Sequence, residues 1–351
     1  MTSRKSPVSV KDVAALAGVS VGTVSNVINS PTVVSEATRT RVEDAIVKLG
    51  WVRNESARQL RAGRSRSIGM VVLDIANPFF TDIISGVEDY VTGLGYTVQL
   101  GNSAQQVSRE AQHLELFEEH RVRGLLFAPI HGAGDRVALL RRHGIPVVLV
   151  DRAADTSDYC SVSVDDVEGG RLAVAHLIEL GHERVVFVGG PSTLQQVRDR
   201  RIGAEIGASR LAAEGLLMMS TPRLDVESGV RAASEIVAMP DLERPTAVFA
   251  ANDLLAVGLL QGFVTFGMRV PDDVAIIGYD DITFAAAAAV PLSSIRQPRQ
   301  TLGQRAAELL FEEVDALDQD TPHEHVQVRF TPELVVRRST AGSAANPRSR
   351  P

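Results

Sequence analysis

The residue types that could carry catalysis occur in this chain in groupings that each lack a required partner. Two acid pairs, Asp165-Asp166 and Asp280-Asp281, are sequence neighbours and do not define an acid/base pair of known separation. His323 and His325 lie in a polar stretch with no third metal ligand in view, so we interpret them as exposed surface residues. Neither a phosphate-cradling Walker loop nor a nucleophile elbow is present. The sequence therefore predicts no enzyme, no cofactor and no metal site.

The single cysteine and the apolar pattern limit the class of protein further. Cys160 excludes an internal disulfide and cannot build a thiolate metal site, so we expect a packing residue in a reducing compartment. The 351 residues are 44% hydrophobic, enough for two or three buried cores, yet no run of 18 apolar residues occurs. Because the N-terminus has no apolar signal segment, we expect a cytoplasmic protein with no membrane partner.

A second group of side chains, from Ser20 to Asn26, has the chemistry to contact DNA. The amide of Asn26 can bond both N6 and N7 of adenine, whereas Val21 offers only apolar contact, for instance with a thymine methyl. Hydroxyls suit phosphates, which orient a protein on DNA without reading its sequence. The DNA-contact candidates in this segment are Ser20, Val21, Gly22, Thr23, Ser25 and Asn26.

The elements that would position these side chains are two short helices within residues 8–29. Apolar residues recur at helical spacing on both sides of Gly18, where the first helix would end. Ser20 can accept from the free N–H groups of the next turn and so cap the second helix. This pattern is that of a helix-turn-helix, although an ordinary helical hairpin is the favoured interpretation when the stretch is considered alone.

The motifs that follow indicate a known family. A third predicted helix runs from Ser35 to Leu49 and ends at Gly50. Further motifs are Lys11-Asp12-Val13-Ala14, Gly18-Val19-Ser20, Thr23-Val24-Ser25, Asn54 through Leu60, Ile68-Gly69, Asn77-Pro78-Phe79-Phe80, Gly181-His182 and Gly278-Tyr279-Asp280-Asp281. In this order from end to end, they make the whole chain resemble transcriptional regulators of the lactose-repressor (LacI/GalR) family. The family often carries Arg or His where Asn26 stands, so the resemblance does not define the operator sequence.

The resemblance implies a hinge helix from Asn54 to Arg61. Eight residues are too few for a stable isolated helix, so we expect order only when two copies pair on DNA. The residue that matches Leu60 wedges into the minor groove in this family, and unstacking a base step costs about a few kcal/mol. Simple packing of Leu60 is the alternative. The DNA-contact candidates here are Asn54, Ala57, Arg58, Leu60 and Arg61.

Charge is divided unevenly between this segment and the remainder of the chain. Residues 1–66 carry 11 Lys/Arg and 5 Asp/Glu, whereas the whole chain has a net charge of −7. A basic head on an acidic body favours local contact with a polyanion and keeps the body away from the phosphates.

Strands and helices alternate from Ile68 onward, which is typical of a doubly wound α/β fold. Seven apolar runs predict buried parallel strands: Ile68–Leu73, Thr97–Gly101, Gly124–Ala128, Pro146–Val150, Arg184–Val188, Ala247–Ala250 and Val274–Gly278. The resemblance implies two doubly wound parallel-sheet subdomains, as in periplasmic binding proteins, with crossings near Ser161, Pro291 and Glu324.

The expected domains follow from these assignments. Residues 1–53 form an all-α helix-turn-helix domain, 54–66 the hinge helix and linker, and 67–338 an effector-binding and dimerisation domain. Within the last, one subdomain spans about 67–161 plus 292–323 and the other about 162–290 plus 325–338. Residues 339–351 are rich in Ser, Ala, Arg and Pro and are predicted to be disordered.

The resemblance also places an effector site at the ends of the strands. The matching positions are Phe79, Phe80, Asp151, Gln196, Arg200, Asn252 and Asp280. Carboxylates, amides and a guanidinium suit a polyhydroxylated molecule, and an aromatic ring supports a sugar's apolar face. The alternatives are that Phe79 is core, that Arg200 belongs to a solvated surface with Arg198 and Arg201, and that Asp280 caps the next helix.

Two departures from the family bear on the effector. Leu224 or a neighbour stands where many sugar-binding members have a stacking aromatic residue, and Gln196 stands where Ser or Thr is common. A sugar or sugar derivative is the leading effector class, and a nucleoside or purine is the second.

The sequence therefore predicts a homodimeric transcriptional regulator, a repressor, that binds a pseudo-palindromic operator under the control of a small molecule. The rival from another class is a solute-binding protein for sugar transport. Such a protein would be exported and would lack a basic head, and neither holds for this sequence.

Replacing Leu60 tests the hinge assignment. Leu60→Ala should weaken operator binding more than about tenfold, because the base-step wedge is removed. The effector affinity of the free protein should remain unchanged. Fluorescence anisotropy with labelled operator and calorimetry with effector measure the two quantities, and an equal loss of both would contradict the assignment.

Overall fold

A computed structural model describes residues 8–51, 65–132, 134–210 and 216–341 of the chain. It divides the chain into two compact units, Met1–Arg64 and Ser65–Pro351, and each is considered by itself. The expected hinge helix, with Asn54, Ala57, Arg58, Leu60 and Arg61, lies outside the described residues. None of the helices in the described ranges is both long and apolar enough to cross a membrane.

Residues 8–51 of the first unit form three short α-helices, and the ends of these helices follow directly from the sequence. The helices are α1 (Val10–Ala17), α2 (Val21–Asn29) and α3 (Glu36–Leu49). Gly18 and Gly50 adopt the left-handed conformation that ends α1 and α3. Ser20 caps α2 by accepting a hydrogen bond from the N–H of Thr23. Val13, Val24 and Val42 are fully buried where the helices meet, so the predicted helix-turn-helix is present.

The described residues of the second unit, 65–132, 134–210 and 216–341, form two six-stranded sheets, each covered by helices. The strands are β1 (Ser67–Val72), β2 (Thr97–Asn102), β3 (Leu125–Phe127), β4 (Val147–Val150), β5 (Ser161–Val164), β6 (Val185–Gly189), β7 (Leu216–Ser220), β8 (Ala247–Ala250), β9 (Ala275–Asp280), β10 (Ser293–Arg296), β11 (Gln327–Phe330) and β12 (Glu333–Val335). The helices are α4 (Pro78–Gly93), α5 (Val107–Glu119), α6 (Gly134–Arg142), α7 (Asp166–Glu179), α8 (Gln195–Gly207), α9 (Val226–Val237), α10 (Asp253–Thr265), α11 (Thr283–Ala287) and α12 (Arg299–Asp318).

The order of strands defines two subdomains. The first sheet has the order β11-β5-β4-β3-β1-β2 and the second β12-β10-β9-β8-β6-β7. Every pair is parallel except β10 with β12. The doubly wound fold with two parallel-sheet subdomains was therefore predicted correctly, and all seven expected strands are present.

Each crossing between the subdomains lies one strand later than expected. β5 belongs to the first sheet, β10 to the second and β11 to the first, so the predicted crossings near Ser161, Pro291 and Glu324 are wrong. The crossings follow Val164, Arg296 and Phe330. β5 and β10 escaped prediction because they contain serines, which are buried there with hydrogen-bond partners.

The predicted start of the disordered tail is also wrong. Ser339 is fully buried, and its hydroxyl donates to the carbonyl of Ile276 at 2.6 Å and accepts from the N–H of Ser293 at 2.8 Å. The chain is therefore part of the second subdomain through this residue. Residues 342–351 lie outside the described ranges.

Three helix pairs meet through glycines. Gly86 of α4 and Gly303 of α12 each face the backbone of the opposite helix, and a Cβ on either would overlap a carbonyl oxygen. Gly170 with Gly203 and Gly229 with Gly258 make the same contact between α7 and α8 and between α9 and α10. Close backbone approach locks each pair in one arrangement, because no side chain at the crossing can adjust.

Alanine at Gly86 tests this packing. Gly86→Ala should lower the free energy of unfolding by at least about 2 kcal/mol, because the methyl group overlaps the carbonyl oxygen of Gln300. Gly93 in the same helix is the matched control, since it is exposed with open space around its Cβ position. Gly93→Ala should be neutral or stabilising by up to about 1 kcal/mol. Urea unfolding measures both, and equal effects would contradict the proposed contact.

Candidate functional site

One pocket lies between the two subdomains at the carboxyl ends of the strands. It contains about 460 Å³ of empty space, part of which is open to solvent. All seven expected effector positions line it: Phe79, Phe80, Asp151, Gln196, Arg200, Asn252 and Asp280. The sequence analysis missed Leu73, Asp74, Asn77, Gln105, Leu194 and Val197, which also line it. The pocket therefore brings the seven expected positions together with polar and apolar residues from both subdomains.

Strand ends position the acidic side chains of the pocket. Asp151 directly follows β4, and Asp280 is the last residue of β9. Their φ angles are +58° and +106°, a region that residues other than glycine seldom adopt. Such backbone strain persists only where surrounding structure enforces it, and it is concentrated at functional sites. The two positions therefore have the local structure expected of a binding site.

Arg200 is buried and has several partners. Its Nε donates to Asp166 Oδ1 at 2.8 Å, and its Nη1 donates to the carbonyl of Ala251 at 2.7 Å. The guanidinium carbon lies 3.7 Å from the centre of the Tyr279 ring. Arg200 is only 4% exposed, whereas the neighbouring Arg198 is exposed, so a solvated charged surface does not explain Arg200. Burial lowers the pKa of the Arg200 guanidinium, but nearby carboxylates, Asp166 foremost, raise it overall.

Asp280 joins the two subdomains. Gln297 Nε2 donates to its Oδ1 at 2.8 Å, and Asn77 Nδ2 donates to its Oδ2 at 3.3 Å. Burial raises the pKa of Asp280 to about 6, against the opposing effect of Arg200 and both amides. The capping alternative fails, because the N-cap of α11 is Ile282 and no side chain caps that helix.

Asp151 and Gln196 make a second bridge across the pocket. Gln196 Nε2 donates to the backbone carbonyl of Asp151 at 2.6 Å and to its Oδ2 at 2.7 Å. Asp151 Oδ1 is buried and has no hydrogen-bond partner among the described residues. Burial raises the pKa of Asp151 well above its usual value, with Asp166 adding to the shift. This oxygen can accept a hydrogen bond from a hydroxyl group in the pocket.

Phe79 and Phe80 form the aromatic side of the pocket. Asn77 caps α4 by accepting a hydrogen bond from the N–H of Phe79 at 3.0 Å. This cap defines the start of the helix and so positions both rings in its first turn. The rings meet edge to face with centroids 5.0 Å apart, and both also belong to the hydrophobic core. The core and pocket interpretations of Phe79 are thus compatible.

Asn252 is largely occupied by structural contacts. Its Oδ1 accepts from the N–H of Leu255 at 3.0 Å and so caps α10, while its Nδ2 donates to the carbonyl of Leu224 at 3.2 Å. Asn252 therefore supports the pocket wall.

In α2, Val21, Gly22 and Asn26 are exposed, whereas Val24 and Val27 are buried. The hydroxyl groups of Ser20 and Ser25, which were expected to contact phosphates, have partners within the protein. Ser20 Oγ caps the helix and contacts Thr23 Oγ1 at 2.9 Å, and Ser25 Oγ accepts from Asn29 Nδ2 at 3.1 Å. Both hydroxyls therefore already have partners within the helix.

The pKa of Asp280 generates a test. The carboxyl group of Asp280 binds its proton more tightly in the folded state than in the unfolded state. The stability that this protonated group contributes is therefore lost as the pH rises from about 4 to about 6. Asp280→Asn removes this titration. The unfolding free energy of Asp280→Asn minus that of wild type should therefore increase by roughly 2–3 kcal/mol as the pH rises across this window. Urea unfolding at several pH values measures it. Asp89→Asn, on an exposed position of α4, is the control, and parallel curves for wild type and Asp280→Asn would refute the assignment.

Comparisons with known proteins agree with this arrangement. Residues 9–54 match the lacI family of bacterial regulatory proteins, and residues 174–340 match a periplasmic binding protein-like domain. The transcriptional repressor PurR of Photobacterium profundum is 37% identical over 335 residues, spanning 94% of this chain and 98% of that protein. PurR of Aliivibrio fischeri strain ES114 is 34% identical, spanning 95% and 98%.

Solved structures show the same fold. The lac repressor dimer bound to operator and the anti-inducer ONPF has a TM-score of 0.78 at 27% identity, spanning 95% of this chain and 99% of that one. The CelR–cellobiose complex has a TM-score of 0.68 at 31% identity, with the same coverage. A LacI-family regulator from Enterococcus faecium with bound ribose has a TM-score of 0.70 at 29% identity, spanning 78% and 98%.

These relatives are transcriptional regulators and not enzymes, which confirms the regulatory interpretation over the transport and enzyme alternatives. The chain therefore belongs to the LacI family of bacterial regulatory proteins and is a DNA-binding transcriptional repressor controlled by a small molecule.

Proposed function

We propose that this repressor binds a pseudo-palindromic operator as a homodimer and that a neutral sugar or sugar derivative is its effector. The effector binds between the two subdomains, changes the angle between them, and so shifts the population of dimers held on DNA. Effector and operator then alter each other's affinity by the same factor, because the coupling free energy is shared.

The charge of the pocket is the observation that carries the effector class. Among the described residues that line it, Asp74, Asp151 and Asp280 are acidic, and Arg200 is basic. The positive charge is already engaged, since Arg200 donates to Asp166 behind the pocket wall. Among the described lining residues no positive charge is therefore left to pair with a phosphate or carboxylate group, whereas the oxygens of the three acids can form hydrogen bonds with sugar hydroxyls. A neutral polyhydroxylated molecule suits this charge better than a sugar phosphate does.

The apolar part of the pocket supports the same class. Phe79 and Phe80 supply aromatic surface from the first subdomain, and Leu194 and Leu224 supply aliphatic surface from the second. A sugar ring has one apolar face that can lie on an aromatic side chain and polar edges that can reach the carboxylates. A nucleoside or purine is the second candidate, favoured by the aromatic pair alone. Among the described residues that line the pocket, the second subdomain supplies no aromatic side chain that could stack on such a ring.

The exposed side chains of α2 in the N-terminal unit support its role in reading base edges. Asn26 is exposed on the same helix as Val21 and Gly22, so its amide is free to approach an adenine edge. Residues 1–66 supply the basic charge for phosphate contacts. The lac repressor structure with this fold is a dimer on its operator, which favours two copies on a symmetric site.

A thermal-shift panel tests the effector class. The full chain is screened against neutral sugars, polyols, sugar phosphates, nucleosides and purine bases. We expect a neutral sugar to raise the melting temperature, because ligand at about 100 times its Kd stabilises the fold by about 2.7 kcal/mol. The same compound should change the affinity for an operator selected from random duplexes, measured by anisotropy. Preference for phosphorylated sugars, or failure to select any duplex, would contradict the proposal.

Two variants separate head from body in this assay. Asn26→Ala should relax base preference at one position of each half-site and leave effector binding intact. Asp280→Ala should abolish the effector response and retain operator binding. A uniform loss across all duplexes in Asn26→Ala would show that this residue contacts only phosphate.

A further inference from the structure

Four side chains that are distant in sequence meet at one edge of the first subdomain. They are Cys160 just before β5, Glu313 in α12, and His323 and His325 in the segment before β11. One potential metal-ligand atom from each lies within 4.8 Å of the other three. His323 and His325 are half-buried, so their interpretation as exposed surface residues is wrong. The third ligand that seemed absent from the sequence is Cys160, which lies 163 residues before His323.

The distances are close to those of a tetrahedral site. Zinc bonds of about 2.0–2.3 Å at tetrahedral angles separate ligand atoms by roughly 3.3–3.8 Å. Cys160 Sγ lies 3.3 Å from His323 Nε2 and 3.6 Å from His325 Nδ1. His325 Nδ1 lies 4.0 Å from Glu313 Oε2. Small side-chain shifts would bring all four atoms to bonding distance of one ion.

Glu313 provides an independent indication of a ligand. Its side chain is only 7% exposed, and its Oε2 is buried without a hydrogen-bond partner among the described residues. An unpartnered buried carboxylate oxygen is unfavourable by a few kcal/mol. This oxygen faces the cluster, 4.0 Å from His325 Nδ1, so a cation there would satisfy it.

Arg141 is the other charged group at the cluster. Its Nε lies 3.2 Å from Glu313 Oε1, its Nη2 lies 2.7 Å from His325 Nε2, and its Nη1 contacts the carbonyl of Asp158. A metal bound at His325 Nδ1 requires that Nε2 carry the hydrogen, so Nη2 must turn away. The side chain of Arg141 is 30% exposed, which leaves room for this movement, and its contact with Glu313 Oε1 can remain.

We propose that Cys160, Glu313, His323 and His325 form a Zn²⁺ site. Binding releases the thiol proton to solvent, and the thiolate and carboxylate then balance the two charges of the ion. Four protein ligands close the coordination sphere, so the site is structural. It joins β5, α12 and β11, the elements that lie beside the crossings between the subdomains. The thiolate and imidazole donors favour zinc over magnesium or calcium.

Cobalt titration of the chelator-treated full chain tests the site. Co²⁺ bound with a thiolate at tetrahedral geometry gives visible d–d bands and a near-ultraviolet sulfur-to-cobalt charge-transfer band. We expect both bands to saturate at one ion per chain and to disappear when Zn²⁺ displaces the cobalt. Cys160→Ser should abolish the charge-transfer band and weaken binding by at least about tenfold. Absence of the band, or its persistence in Cys160→Ser, would overturn the proposal.

Two further variants distinguish this site from adventitious binding and from misfolding. His143→Gln is the matched control, because His143 also contacts a carboxylate, that of Glu118, but lies on the exposed surface. It should bind Co²⁺ as wild type does. His323→Gln should fold, as judged by circular dichroism and operator binding, but lose the rise in melting temperature that Zn²⁺ gives wild type. No zinc-dependent rise in wild type, or an equal loss in His143→Gln, would also overturn the proposal.

Discussion

The pairing of one buried guanidinium with its surrounding carboxylates is the interaction on which the pocket depends. A charge without a partner in a protein interior is strongly unfavourable, so Arg200 can be buried only while Asp166 and the carbonyl of Ala251 accept from it. These partners lie in different parts of the chain, Asp166 at the start of α7 and Ala251 directly after β8. Gly170 lets α7 approach the backbone of Arg200 directly, which places the guanidinium against the Tyr279 ring. The close packing of Gly170 against the backbone and the pairing of Arg200 with Asp166 therefore depend on each other.

The two subdomains contact one another across the pocket through polar groups. Gln196 donates to Asp151, and Asn77 donates to Asp280, each pair joining one subdomain to the other. Arg223 lies 3.5 Å from Asp74 across the same opening. Hydroxyl groups of a ligand could take the place of each of these contacts. A ligand shifts a conformational equilibrium only by its difference in affinity for the two states. Exchange of these few hydrogen bonds supplies such a difference for the proposed effector.

Local patterns in the sequence predicted the fold well and the long-range contacts poorly. Six of the seven expected strands are apolar runs that are buried throughout, whereas β2 lies at the edge of its sheet and is only partly buried. β5 and β10 were missed because buried serines interrupt the apolar signal. The seven effector positions came from the family resemblance, whereas Asp74 and Asn77 have partners about 150 to 200 residues away that no local pattern reveals. The cluster around Cys160 was missed for the same reason, since its ligands come from three separated segments.

The positions of the crossings indicate where a movement of one subdomain relative to the other would concentrate. Close glycine contacts join α4 to α12 in the first subdomain and α7 to α8 in the second, so each subdomain is expected to resist internal deformation. Relative movement then concentrates at the three crossings, of which one contains Gln297 and leads into Arg299. Gln297 donates to the carboxylate of Asp280, and Arg299 pairs with Asp82 of α4 while contacting the carbonyl of Asp280. Asp280 therefore lines the pocket and is also hydrogen-bonded to Gln297 and Arg299 in the crossing segment. In the proposed function, a ligand that bonds this carboxylate acts directly on that segment, without any need for a longer path through the core.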